Sequence, residues 1–264
     1  MLIHERMPEV HHWMDYNPGW PQYYHYEPNI VATAHKIIDV YQVFCSARTA
    51  LQSLDVENYG ELIAQTDDLH LKFIRSQFIQ NALVYYNISI DLSWQVLWLF
   101  CKEPSFDLLY ENTYVETTKD CNLETLREML DYMSSFPSIE KKTLDMLLNH
   151  MISFFNSELT LKVRHKYNYM KHRGTYYFDG LGMNDKTLGV VVNGVNPIML
   201  TREELDINEW KETLIKFDNS FVGYFEYIME NIMPADFKNG DFNLVDPINY
   251  HHKLQEYFKQ KDGL

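Results

Sequence analysis

The chain has 264 residues, of which 46% are hydrophobic and 15% aromatic, enough for a sizeable core in one domain, with or without an appendage. Ten glycines and nine prolines are few for a fold built on tight turns, which argues against an all-β protein. The formal net charge of −14 repels polyanions over most of the surface. A role with RNA therefore needs a local basic patch, and DNA binding is not expected.

The cysteines and the apolar segments predict the compartment. Cys45, Cys101 and Cys121 are an odd number without CxxC spacing, which argues against a disulfide framework and favours a reducing environment. The N-terminal sequence MLIHERMPEV is too charged for a signal peptide. The most apolar stretch, 88–101, contains Asp91 and is shorter than the roughly 20 apolar residues that span a bilayer. The sequence therefore predicts a cytoplasmic protein without a membrane segment.

The N-terminal residues 1–26 are rich in aromatic side chains. Because Pro18 and Pro21 interrupt any regular helix, we expect an irregular arm that packs onto the body of the protein. His11 and His12 are adjacent, so their side chains diverge, and no further ligand spacing accompanies them. We therefore predict no metal ion and no other cofactor.

Residues 27–264 are predicted to form a single helical-bundle domain. Apolar residues recur at helical spacing in the segments that we expect to be α-helices, about 28–54, 66–101, 122–135, 138–156, 157–173 and 201–233. A capping box of Thr201 and Glu204 is expected to open the last of these. Residues 104–121 are expected to form a loop with short turns, and a short helix is expected near 250–258.

The hydrophobic period changes after residue 174. The segments that alternate or are rich in β-branched residues are 176–178, 187–192 and 195–200. Asn193-Gly194 is typical of a two-residue hairpin turn, because both residues tolerate positive φ. The sequence therefore predicts a mainly α-helical fold with a small β-hairpin or meander inserted at about 175–200.

A basic stripe on the helix predicted over 157–173 is the candidate site. Helical spacing places four polar residues within a sector of about 100°, and these are Arg164, Asn168, Lys171 and His172. Two fixed positive charges, an amide and an imidazole can together hold a phosphate group and move a proton. His165 and Arg173 flank the basic stripe as further phosphate-binding candidates.

A structural interpretation of the basic stripe competes with the functional one. Basic residues in the last turn of a helix are stabilised by the helix dipole and need no ligand. In an acidic protein they can also pair with carboxylates elsewhere. Periodicity by itself favours this structural interpretation, and the chain contains no Gly-rich phosphate loop, HExxH or GxSxG motif.

The segment VRHKYNYMKHRGTYY resembles the motif region of HEPN domains (higher eukaryotes and prokaryotes nucleotide-binding domains). These are all-α bundles with the motif Arg-Asn-x-x-x-His. Asn168 and His172 match its second half, the position before Asn168 is Tyr167, and the nearest preceding arginine is Arg164. The resemblance implies binding of RNA or a nucleotide, metal-independent RNase activity in a defence or toxin system, and a homodimer through the motif helices.

The same resemblance implies roles for individual residues. His172 would transfer protons, Arg164 would hold the phosphate, and Asn168 would orient it. Tyr167 and Asp91 are candidates for support, although a structural hydrogen bond is the simpler role for Asp91 in an apolar helix. The displaced arginine favours binding over cleavage, and the alternative is a non-catalytic structural or protein-interaction module.

Overall fold

The computed structural model describes residues 2–60, 68–133, 141–187, 189, 191, 193–241 and 243–261. The predicted mainly α-helical fold is confirmed. Its α-helices in chain order are α1 (Trp20–His25), α2 (Pro28–Gln52), α3 (Asp68–Phe100), α4 (Glu111–Lys119), α5 (Leu123–Met133), α6 (Lys141–Phe155), α7 (Glu158–Arg173), α8 (Ile207–Ile232) and α9 (Asp246–Lys261). Shorter 3-10 helices lie at Ile3–Arg6, His11–Tyr16, Ser53–Asp55, Phe106–Leu109 and Phe237–Asn239. Among the described residues, no helix carries an apolar stretch long enough to cross a membrane.

Most predicted helices are confirmed, and three predicted helix boundaries lie outside the described residues. The predicted start at residue 66 and the predicted helix ends within 134–140 lie outside the described residues. Asn122 caps α5, because its side-chain oxygen accepts from the backbone N–H groups of Glu124 and Thr125 at 2.9 and 3.1 Å. The predicted loop over 104–121 was wrong, since it contains a 3-10 helix and α4.

The start of α8 differs from the prediction. The Thr201–Glu204 capping box was wrong, because Glu204 forms a parallel β-bridge with Tyr177. The backbone N–H of Leu205 donates to the carbonyl oxygen of Tyr177 at 2.9 Å, which keeps this segment extended. Helix α8 begins only after Asp206, whose carboxylate accepts from the N–H of Glu209 at 2.7 Å.

The N-terminal residues are more regular than predicted. Two 3-10 helices and α1 occupy most of the predicted irregular arm. Pro21 stands in the first turn of α1, where its missing N–H removes no helical hydrogen bond. His11 contacts the hydroxyl of Tyr41 at 2.8 Å, whereas His12 lies 2.9 Å from the carboxylate of Glu226. The two imidazoles therefore have different partners.

The predicted β insertion is reduced to isolated bridges in the described part of the chain. Thr187 and Ile198 form one antiparallel bridge, and the N–H of Met199 donates to the carbonyl oxygen of Lys186 at 3.0 Å. Asn193 and Gly194 both have positive φ, 51° and 78°, as the hairpin turn requires. No strand longer than a bridge occurs among the described residues of this segment.

The chain divides into two compact units. The first unit comprises Met1–Met7, Cys45–Asn87 and Ser157–Asn219. A polar network is buried in it: Arg48 on α2 donates to both carboxylate oxygens of Asp218 on α8, at 2.8 and 2.6 Å, and the hydroxyl of Tyr86 on α3 donates to the same carboxylate at 2.8 Å. Because Asp218 is fully buried, these bonds replace the water that its charge would otherwise require.

The second unit comprises Pro8–Phe44, Ile88–Asn156 and Ser220–Leu264. Its core is aromatic: the rings of Phe154 and Tyr224 stack with centroids 3.9 Å apart, and Trp13 packs on Phe44 at 5.4 Å. The imidazole of His150 contacts the carbonyl oxygen of Tyr224 at 3.1 Å, so this histidine has a structural partner. Helix α6 contributes four buried apolar side chains to this core, and these are Leu144, Leu147, Met151 and Phe154.

Candidate functional site

Helix α7 carries the basic stripe and is well defined at both ends. At its start, the hydroxyl oxygen of Ser157 accepts from the backbone N–H of Thr160 at 3.3 Å. At its end, Gly174 has a φ of 102°, a conformation that favours glycine. Because the helix is continuous from Glu158 to Arg173, the helical spacing assumed for the basic stripe holds.

One side of α7 is occupied by contacts within the first unit. Lys162 forms an ion pair with Glu209 at 2.9 Å, and Lys166, one turn later, forms an ion pair with Glu203. Tyr169, again one turn later, accepts from the backbone N–H of Glu203 at 2.8 Å. These side chains hold the segment that leads into α8, so the basic residues of this side are structural.

Tyr176 completes this packed side. Its ring stacks on that of Tyr169 with centroids 4.7 Å apart, and its hydroxyl donates to the carbonyl oxygen of Lys166 at 2.9 Å. Burial raises the pKa of Tyr176, so the hydroxyl keeps the proton that it donates. The residues after α7 are thereby fixed against the helix.

The basic stripe lies on the other side of α7, facing solvent. Asn168, Lys171 and His172 are exposed, and Arg164 is half-buried. Neither Lys171 nor His172 forms an ion pair with any residue that the structure describes. Two groups that carry or acquire positive charge therefore face solvent in a protein of net charge −14.

The spacing along α7 limits what the basic stripe can contact. Arg164 and His172 are eight positions apart, which places their backbones about 12 Å apart along the helix axis. Asn168, Lys171 and His172 fall within about 6 Å of one another along the axis. One phosphate can therefore contact Asn168, Lys171 and His172 together. Arg164 of the same chain is better placed to contact a second, neighbouring phosphate.

The flanking candidates separate in the structure. His165 is exposed and lies seven positions before His172, so it extends the basic stripe. Arg173 projects elsewhere, with its guanidinium carbon 6.0 Å from the centre of the Tyr169 ring on the packed side. Tyr167 is half-buried on the same helix, next to Asn168.

Asp91 is not the buried group that its apolar surroundings in the sequence suggested. It is exposed and belongs to the second unit, whereas α7 belongs to the first. Asn87 is one of the polar side chains buried in that helix, and it donates to the carbonyl oxygen of Leu83 at 2.9 Å. Asn87 thus makes a structural hydrogen bond within α3.

The buried network of Arg48, Tyr86 and Asp218 was not predicted. A signal for it exists in the sequence, because Asp218 lies four positions after Leu214 and three before Phe221. Both of these apolar residues are fully buried, so the carboxylate had to lie on the core side of its helix and to need a cation.

Comparison of the chain with family models, curated proteins and solved structures gives no match. The resemblance of the α7 segment to HEPN domains rests on the motif residues alone, and it stays a prediction. The class of protein that the structure defines is a mainly α-helical protein with an exposed basic helix face.

Proposed function

We propose that the basic stripe of α7 binds a ligand with more than one phosphate group, either a nucleotide polyphosphate or a single strand of RNA. The observation that supports this is the division of basic residues on α7. Lys162 and Lys166 are neutralised by Glu209 and Glu203, whereas Lys171 is exposed and unpaired among the described residues. The helix dipole accounts for basic residues near the C-terminus but does not require them to share one solvent-facing side.

The ligand is proposed to lie along the helix. Asn168, Lys171 and His172 would hold one phosphate, and Arg164, two turns earlier, would hold the next. Arginine matches two phosphate oxygens at once, and lysine acts as a point charge. The approximately 12 Å axial separation of Arg164 and His172 disfavours a single phosphate shared by both.

Binding is tested with ADP, ATP and a short oligouridylate, measured by calorimetry over a range of salt concentrations. Lys171→Gln should weaken oligouridylate binding and reduce the slope of log K against log salt by about 0.7, the value for one lost contact to a single strand. The matched control is Lys162→Gln, which removes the same charge from the same helix, where Lys162 forms an exposed ion pair with Glu209 and lies 5.0 Å from the centre of the Trp210 ring. Equal weakening by both substitutions, or no binding by the native protein, would overturn the proposal.

The RNase activity that the HEPN resemblance implies is a separate part of the proposal. It is tested by incubating the native protein with single-stranded RNA in excess chelator. Cleavage that His172→Ala abolishes while binding is retained would support His172 as the proton-transfer group. Binding without cleavage would leave the basic stripe as a binding site and refute catalysis.

The homodimer that the resemblance implies is also part of the proposal. A second copy of α7, related by a two-fold axis, would bring basic residues of both copies to one phosphate. Sedimentation of the native protein measures this association, and a monomer at micromolar concentration would exclude a shared site.

A further inference from the structure

The described lining of an open cleft in the first unit contains no carboxylate, although the chain is acidic. One wall is the first part of α3, from Leu69 to Gln80, and the other is the segment from Thr175 to Asn184, with Leu200 and Arg202 at the edge. Its volume is about 810 Å³, within the range of small-molecule sites. It does not include any residue of the basic stripe.

Apolar side chains are exposed along the rim on both sides of the cleft. Leu69 and Phe73 on α3 are each about half exposed, and Met183 and Leu200 face them with still greater exposure. A ligand that covered these four side chains would remove apolar surface from water, which is the main source of favourable binding free energy.

Polar groups at the floor of the cleft already form hydrogen bonds within the protein. Gln80 accepts from the backbone N–H of Tyr176 at 3.4 Å and donates to the carbonyl oxygen of Ser76 at 3.0 Å. One face of the Tyr176 ring is occupied by Tyr169. The surface left for a ligand is therefore mostly the apolar rim, where three of the four exposed side chains are aliphatic, and this suits a hydrocarbon chain.

The charge of the lining distinguishes the cleft from its surroundings. The chain has 37 acidic and 23 basic residues, yet no Asp or Glu is among the described residues that line the cleft. His70 and Arg202 do line it. The adjoining groove, which shares Phe178, is lined by four carboxylates, and these are Asp68, Asp179, Glu204 and Asp206.

Arg202 is placed to meet an anion. Its backbone is fixed by Asn184, whose side chain accepts from the N–H of Arg202 at 2.8 Å and donates to its carbonyl oxygen at 3.0 Å. Its guanidinium forms no ion pair with any described residue. A carboxylate at this point would gain a charge-assisted hydrogen bond without displacing a protein partner.

We propose that this cleft binds a small amphipathic anion, an aliphatic chain that ends in a carboxylate. The chain would lie between Leu69 and Phe73 on one side and Met183 and Leu200 on the other. The carboxylate would be held by Arg202. This site is separate from the basic stripe and does not depend on the function proposed for it.

The experiment measures calorimetric binding of decanoate below its micelle concentration, with decanol and decyltrimethylammonium as comparison ligands of the same chain length. The native protein should bind decanoate about tenfold or more tightly than decanol, and Arg202→Gln should abolish that preference, because it removes the hydrogen bond between two charged groups. Met183→Asp should remove most of the binding by placing a like charge at the rim. The matched control is Leu244→Asp, a similar residue in the second unit with 77% exposure against 81% for Met183.

Each outcome decides one part of the proposal. No binding of decanoate by the native protein overturns it. Equal affinity for decanoate and decanol, unchanged in Arg202→Gln, excludes a site for anions. Equal binding by Met183→Asp and Leu244→Asp places the ligand outside the cleft and also overturns the proposal. Circular dichroism of each variant establishes that the fold is retained, as expected for substitutions at exposed side chains.

Discussion

Replacing Arg48 with methionine removes the cation from a carboxylate that is fully buried. Among the described residues, Asp218 would then keep only the hydrogen bond from Tyr86, at 2.8 Å. Removing one partner of a buried ion pair costs about 3–5 kcal/mol, because the remaining charge has neither water nor a counter-ion. For a chain of this size we expect a fall in melting temperature of about 6–20 °C, at roughly 2–4 °C per kcal/mol.

The matched control is a bidentate arginine–carboxylate pair at the surface of the same unit. Arg6 contacts both carboxylate oxygens of Glu212, at 2.7 and 2.5 Å, but the side chains are partly exposed. Arg6→Met should therefore cost much less free energy of unfolding than Arg48→Met, since water can solvate the remaining carboxylate. The free energy of unfolding is measured by urea denaturation followed by circular dichroism.

A double variant distinguishes the loss of the ion pair itself from the cost of leaving one buried charge unpaired. Arg48→Met combined with Asp218→Leu removes both charges, and we expect it to be more stable than Arg48→Met alone, because no unpaired buried charge is left. The reasoning is refuted if Arg48→Met costs no more free energy of unfolding than Arg6→Met. It is also refuted if the loss in the double variant equals the sum of the losses in Arg48→Met and Asp218→Leu, each measured singly.

The remaining predictions concern the cap of α7 and the buried thiols. Ser157→Ala should lower the free energy of unfolding by about 1 kcal/mol, because it removes the oxygen that accepts from the N–H of Thr160. Ser157→Asp should lower the free energy of unfolding by less, since its carboxylate can accept from the same N–H. Equal losses in urea denaturation would contradict the capping role. Burial raises the pKa of both Cys101 and Cys121 to about 12, so the folded protein holds these thiol protons more tightly than the unfolded chain, whose thiols ionise near pH 9. The contribution of these two thiols to stability should therefore be fully present below about pH 9 and be lost as the pH rises towards 12. The fall in stability should be smaller in a Cys101→Ala/Cys121→Ala variant than in the native protein. A rise of the urea midpoint with pH would contradict this sign.

Local patterns predicted most of the helices because each is encoded within a few residues. The apolar period predicts α2 and α8, and the structure confirms both helices. The Asn122 cap and the end of α7 at Gly174 also act through neighbours in the chain. The basic stripe was predicted in the same way, since its residues share one continuous helix. Whether it binds phosphate stays a proposal.

Long-range contacts decided the remaining features. Thr201 and Glu204 match a capping box, but pairing with Tyr177 keeps that segment extended and moves the start of α8 to Ile207. The Asn193-Gly194 turn has the predicted positive φ values, and the pairing in the described residues of this segment consists of isolated bridges.

The sequence by itself determined that α7 presents Arg164, Asn168, Lys171 and His172 on one face, because helical geometry is fixed by spacing alone. Only the tertiary structure decided which basic residues of α7 are neutralised, since Glu203 and Glu209 reach Lys166 and Lys162 from a segment some forty residues later in the chain. It also decided that residues around 70 and 200 line one cleft without carboxylates. Charge in a folded protein depends on which side chains meet, and composition records only how many there are.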